Sequence, residues 1–244
     1  MYDPPGYLWA IIIAATTGIE AATCILLYGG GVRVGLGRRR AALLAGGAAA
    51  VLGGWSAATA VIADRGWYHT LPWALPAALA GSLATLLVLT RIPVVARALA
   101  APGMSSRLLL PHAFRVAGIA FFVYLALGHL PAVFAVPAGV GDIATGLAAP
   151  VAAYRLAHGT GRRAALWFNA FGMTDLVVAQ TLGALVLFGL LKTTVSGVPI
   201  TELPLALIPT AAVPVLFVLH IRSVLTLTRA PQPAPAAAGP LLAR

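Results

Sequence analysis

Glu20, Asp142 and Asp175 each fall inside a run of Gly, Ala, Val, Ile, Leu and Phe, and they are half of the six acidic residues in the chain. An ionised carboxylate at the centre of a bilayer costs about 2.5–3.5 kcal/mol even on a lenient insertion scale, so such a residue faces a helix bundle's interior or a cavity. Three chemistries use an acid placed this way. It can protonate a substrate, relay a proton, or tie two helices together through a hydrogen bond.

Asp142 lies in GVGDIATG, and Gly139, Thr145, Gly146 and Ala149 share its helical face. Residues that small let another helix approach closely. Asp175 lies in FGMTDLVVA, with Phe168 and Phe171 on its face at i−7 and i−4. With rings beside it and no cation in its own helix, Asp175 is expected to be a neutral Brønsted acid rather than a charge. Each Asp has a Gly three residues before it, a pattern too common to establish an internal repeat. Glu20 shares a face with Thr16, Thr17, Thr23 and Cys24, a polar stripe suited to a hydrated path or to bonds across helices.

Around these acids stand groups that could bind a substrate. Arg115, three residues after His112, could reach the membrane interface, clamp a phosphate or balance an acid. His129 is one short link from Asp142 and could meet it across that turn, while His220 lies late in the last hydrophobic run. Trp55, Phe122, Tyr124, Trp167, Phe168 and Phe171, with Asn169 among them, lie within or beside the hydrophobic runs as packing or as a substrate cage. Ring faces attract cations, and rings beside a neutral carboxylic acid are what a carbocation reaction needs. No metal site is expected, because no H-x-x-x-H or H-E-x-x-H pair exists on one helix and the chain has a single cysteine, Cys24. No cofactor is expected either: there is no G-x-S-x-G motif or P-loop, and the one lysine, Lys192, is placed wrongly for a retinal Schiff base in the last span.

The elements that must position these residues follow from composition. Of 244 residues, 60% are hydrophobic and 9% charged, against roughly a quarter charged in a soluble domain. The expected fold is an all-α integral membrane bundle. The net charge of +10 does not point to nucleic acid, since nearly every cation flanks a hydrophobic run. Runs of about 20 apolar residues divide the chain into seven spans: roughly Tyr7–Tyr28, Ala41–Ala63, Leu71–Ile92, Leu108–Leu130, Val136–Ala157, Ala165–Leu191 and Pro204–Thr228. Fourteen of the sixteen cations fall on one side of this arrangement, leaving Arg65 and Lys192 on the other. Translocated links are poor in Lys and Arg, so the expected orientation is N-out and C-in, with Trp9, Trp67, Tyr68 and Trp73 in an outer aromatic belt. The first span, without a basic region before it or a cleavage pattern after it, is read as a retained helix rather than a signal peptide. Residues 1–229 form the expected seven-helix domain, and the Pro- and Ala-rich residues 230–244 an expected disordered cytoplasmic tail.

The residues RVAGIAFFVYLALGHLPAVFAVPAGVGDIATGLAAP (Arg115–Pro150) and WFNAFGMTDLVVA (Trp167–Ala179), with LIPTAAVP and His220 in the last span, resemble a group of bacterial multi-span membrane proteins to which no activity is attached. The likeness covers about the C-terminal half, with F-A-x-P-A-G-x-G-D as its most specific pattern. Size, span count and paired acids are also similar to those of small seven-span membrane terpene cyclases. That second resemblance implies a mechanism class only, in which an acid protonates an alkene or epoxide of a prenylated substrate, with Asp142 and Asp175 in that role.

The leading expectation is therefore a cell-membrane enzyme that acts on a hydrophobic isoprenoid by acid catalysis, with Asp142, Asp175 and Glu20 as its acids. The partners are the lipid bilayer and that substrate, and the sequence sets no oligomeric state. A second reading is a proton-coupled transporter or channel that uses the same acids. A third is a binding or sensor protein holding a metal or haem through histidines. The cavity around Asp142 and Asp175 discriminates: a closed apolar pocket opening to lipid favours the enzyme, and a polar path through the bundle favours transport.

Overall fold

A computed structural model describes residues 3–228, so the expected tail at 230–244 lies outside the described residues. Those residues form helices without strands. In chain order these are α1 (Gly6–Arg33), α2 (Arg38–Asp64), the short α3 (Trp67–Thr70), α4 (Ala74–Leu89), α5 (Pro93–Leu99), α6 (Met104–Arg107), α7 (Ile119–Ala126), α8 (Ala132–Ala157), α9 (Arg162–Leu187) and α10 (Val213–Thr228). A 3₁₀ segment, Leu110–Gly118, joins α6 to α7, and a π-type turn, Ile208–Ala212, leads into α10.

Among the described residues six stretches are long and apolar enough to cross a membrane, and a seventh exists if α4 and α5 are counted as one bent span. This is compatible with a multi-pass membrane protein. The expected third span, Leu71–Ile92, is the one that differs, because α4 has only 16 residues and α5 leaves it at 89°. Pro93 causes the break: the residue before a proline is driven out of the helical region, and Ile92 is extended at φ −58°, ψ 127°. The link between α1 and α2 turns on Gly35 and Gly37, at φ +82° and +75°, a region that favours glycine.

The last long stretch, Ile208–Thr228, is the axis of the bundle, with 72% of its window buried against 11% for that of α2. α10 packs on α4 and α9, α8 packs on α9 and the 3₁₀ segment, and α1 lies against α2 and α5. Two large apolar clusters fill the interior. One contains Leu8, Ile12, Tyr124 and Phe134, and the other Ile19, Leu108, Leu216 and Leu219. Thr16 stands between Ile12 and Ile19 on α1, and at that level the interior becomes polar.

Candidate functional site

The 3₁₀ segment builds the centre of the site. Pro111 removes a backbone N–H near its start, and with three residues per turn, side chains three apart eclipse one another. His112, Arg115 and Gly118 therefore lie in one line, and all three are buried. An α-helix would have fanned them apart.

Arg115 is 3% exposed, and its guanidinium joins three helices. Nε donates to Asp142 Oδ1 on α8 at 2.7 Å, Nη2 donates to Asp175 Oδ2 on α9, and Nη1 donates to the Gly172 carbonyl at 3.3 Å. A longer contact of 3.4 Å runs from Nη1 to His220 Nε2 on α10. A rigid fork of five donors suits this arrangement, whereas an ammonium group could not span both carboxylates in fixed directions.

Small residues let the charges meet. A Cβ at Gly118 would strike that of Asp142, one at Gly141 would strike the Asp175 carboxyl, and one at Gly172 would strike the His220 ring. The glycines on either side of the acids are thus required by close approach rather than by backbone conformation.

Beyond Arg115 the polar chain continues toward the arginine-rich end of the bundle. His220 Nε2 faces the guanidinium as acceptor, which leaves Nδ1–H to donate to Asn169 Oδ1 at 2.9 Å. Asn169 Nδ2 then donates to the Ala165 carbonyl at 2.7 Å and to Ser223 Oγ at 3.0 Å. His112 stacks on His220 with ring centroids 3.8 Å apart and meets Phe168 edge-on at 5.6 Å. Neither of its ring nitrogens has a hydrogen-bond partner among the described residues.

Several residues singled out from the sequence converge here: Asp142, Asp175, Arg115, His220, Asn169 and Phe168. Asp175 has no cation on its own helix, and Arg115 reaches it from another element, the acid-balancing role that was one of the alternatives for Arg115; intrahelical spacing cannot register such a partner. Trp167 and Phe171 are 76% and 52% exposed, so they point away from the cluster and do not line a cage around it. Phe122 packs its ring where a Cβ of Gly139 would be, and Tyr124 is buried in the apolar cluster with Phe121 and Phe134. His129 sits in the turn after α7, its backbone N–H on the Tyr124 carbonyl at 2.8 Å, and Asp142 takes Arg115 as its ion-pair partner. His112, Ser223 and the three glycines complete the site. Of these, His112 was legible as the i−3 neighbour of Arg115, but Ser223 carried no signal.

Glu20 belongs to a different place. Ser56 Oγ on α2 donates to its Oε1, and it lines a cavity of about 620 Å³ together with Trp55, Ser82 and Thr85. The spaces beside Asp142 are far smaller. One of about 80 Å³ is bounded by Asp142, Gln180 and apolar groups including Phe121 and Phe134. The other, about 40 Å³, is bounded by Asp142, Arg115 and Thr16. The Thr16 hydroxyl is buried without a hydrogen-bond partner among the described residues, and Thr16 is one turn from Glu20 on α1. Spaces of this size hold water molecules, whereas ligand pockets run to about 300–1,000 Å³. Among the described residues no group of three or more His, Cys, Asp or Glu side chains could hold a metal ion.

Comparison with known proteins adds a family. No curated protein and no solved structure matches the chain. Residues 72–228, more than half of the chain, match the model of a domain of unknown function, DUF8737. The matched region contains Arg115, Asp142, Asn169, Asp175 and His220, while Glu20 and Trp55 precede it. The chain belongs to the DUF8737 family.

Proposed function

We propose that the protein is a proton-coupled transporter of the bacterial inner membrane, N-out and C-in, whose switch is the cluster of Arg115, Asp142 and Asp175. The observation that carries this reading is that one buried guanidinium holds carboxylates from two different helices. Two carboxylates and one guanidinium sum to one negative charge, so a single proton makes the cluster neutral. That proton also releases one of the charge-assisted bonds by which the 3₁₀ segment grips α8 or α9. A hydrogen bond to a charged group is worth about 1.5–3 kcal/mol, enough to shift an equilibrium between two packings that differ by a few kcal/mol. The chain through His220, Asn169 and Ser223 supplies polar contacts toward one end of the bundle, and Thr16 leads toward Glu20.

Acid catalysis on an isoprenoid draws less support from the geometry. Both aspartates bond to a cation, and the spaces at Asp142 are too small for a prenyl chain. A histidine-held metal or haem also draws little, since His112 and His220 lie ring on ring with no space for an ion between them.

The test is a conformational one. Spin labels at Ile25 on α1 and Val177 on α9, both exposed, are placed in a Cys24→Ser background in reconstituted membranes. Two distance populations should exchange weight between about pH 8 and about pH 5, and Asp142→Asn or Asp175→Asn should fix the ratio. An unchanged distribution across that range with the native cluster would overturn the proposal.

A further inference from the structure

The 620 Å³ cavity is a groove rather than a sealed pocket. Its floor is α1 and the last span, represented by Glu20, Pro214 and Val215, and its walls are α2 and α4. Those walls are lined by residues that leave it unfilled: a Cβ added at Gly54 or at Gly81 would meet nothing within 4 Å. These glycines differ from those around Arg115, where every added Cβ collides. The groove is therefore empty of side chains by composition, and its volume lies within the range of small-molecule sites.

Its charge is equally specific. Glu20 Oε1 accepts from Ser56, and Oε2 has no partner among the described residues. α2 contributes Trp55 to the groove, α4 contributes Ser82 and Thr85, and the last span contributes apolar groups, so no cationic side chain lines it. Cys24 stands one turn along α1 from Glu20. An unpaired carboxylate in apolar surroundings is costly. A proton or a positively charged ligand removes that cost. The Trp55 ring, its Nε1 already donating to the Thr210 carbonyl at 2.7 Å, is fixed in the wall where its face can attract a cation.

We propose that this groove binds a lipophilic organic cation, held by Glu20 and Trp55, in exchange for one proton on the Glu20 carboxyl. As cargo of the transport cycle the cation rests on the reading above; as a ligand it does not. The exchange balances in charge, because one cation enters as one proton leaves. The link to the switch is short, since Thr16, one turn from Glu20, borders the space that contains Arg115 and Asp142.

The probes are tetraphenylphosphonium and tetraphenylborate, nearly identical in shape and opposite in charge, titrated calorimetrically into the full chain in detergent. Tetraphenylphosphonium should bind once per chain, and its apparent heat in buffers of different ionisation enthalpy should report about one proton released. Glu20→Gln should weaken binding by at least ~10-fold, and Trp55→Leu by ~2–5-fold. Gly81→Phe keeps Glu20 but fills the groove, and should abolish binding in a protein whose unfolding temperature is unchanged. Equal binding of tetraphenylborate, or native affinity in Glu20→Gln, would overturn the proposal. The Arg115 cluster is tested separately, by the pH-dependent distance change, so failure of one proposal is distinguishable from failure of the other.

Discussion

His112 and His220 stack with their rings 3.8 Å apart, yet of these two rings His220 makes hydrogen bonds and His112 has no hydrogen-bond partner among the described residues. The two buried imidazoles therefore differ in what they contribute. His220 links Arg115 to Asn169, whereas His112 supplies a ring and leaves its nitrogens unmatched. Removing a bonded partner exposes the full desolvation penalty of the group left behind, about 1–3 kcal/mol, whereas removing an unmatched polar group does not. His220→Phe should lower the unfolding temperature in detergent clearly, and His112→Phe should leave it unchanged or raise it.

Arg115→Leu leaves two buried carboxylates without their cation, and should cost about 3–5 kcal/mol. Adding Asp142→Asn and Asp175→Asn to that variant should recover most of the loss, because the charges are then gone together. Arg115→Lys should fall between the two, since an ammonium cannot hold both acids in the same geometry. Chemical denaturation of the four proteins in the same detergent measures the series.

The glycines separate close packing from open space. Gly141→Ala puts a methyl group into the Asp175 carboxyl and should destabilise the α8–α9 contact by about 1–3 kcal/mol. Gly46→Ala on α2 meets nothing within 4 Å, and should be neutral or stabilising by up to about 1 kcal/mol through helix propensity. The same thermal assay reads both.

Trp167→Leu and Phe171→Leu change side chains that face outward. Neither should alter the pH-dependent exchange between distance populations. Phe168→Leu removes the ring that meets His112 edge-on, and should cost about 1 kcal/mol of stability.

The helical bundle was legible because apolar runs and flanking arginines are local features of sequence. The break at Pro93 was less so: hydropathy counts Leu71–Ile92 as one continuous run, and only the backbone conformation imposed on Ile92 divides it. Two of the acids were correctly expected to face the interior, since the cost of a buried charge does not depend on which partner relieves it. That partner was not determined by the sequence. Arg115 is 27 residues from Asp142 and 60 from Asp175, and it reaches both from a 3₁₀ turn that aligns it with Gly118. The Gly three residues before each Asp, too common to be a signal by itself, proves to serve two different contacts. Gly139 accommodates Phe122, while Gly172 accommodates His220 and accepts a bond from Arg115.

The central claim is that the cluster of Arg115, Asp142 and Asp175 takes up and releases a proton as the protein works. Infrared difference spectroscopy of the membrane-reconstituted protein, taken between about pH 8 and about pH 5, reads this directly through the carbonyl stretch of a protonated carboxyl group. A band should appear on acidification, reverse on return, persist in Glu20→Gln, and be lost or displaced in Asp142→Asn and Asp175→Asn. A spectrum without any band that depends on these two aspartates would contradict the account and leave the cluster as a fixed tie between helices.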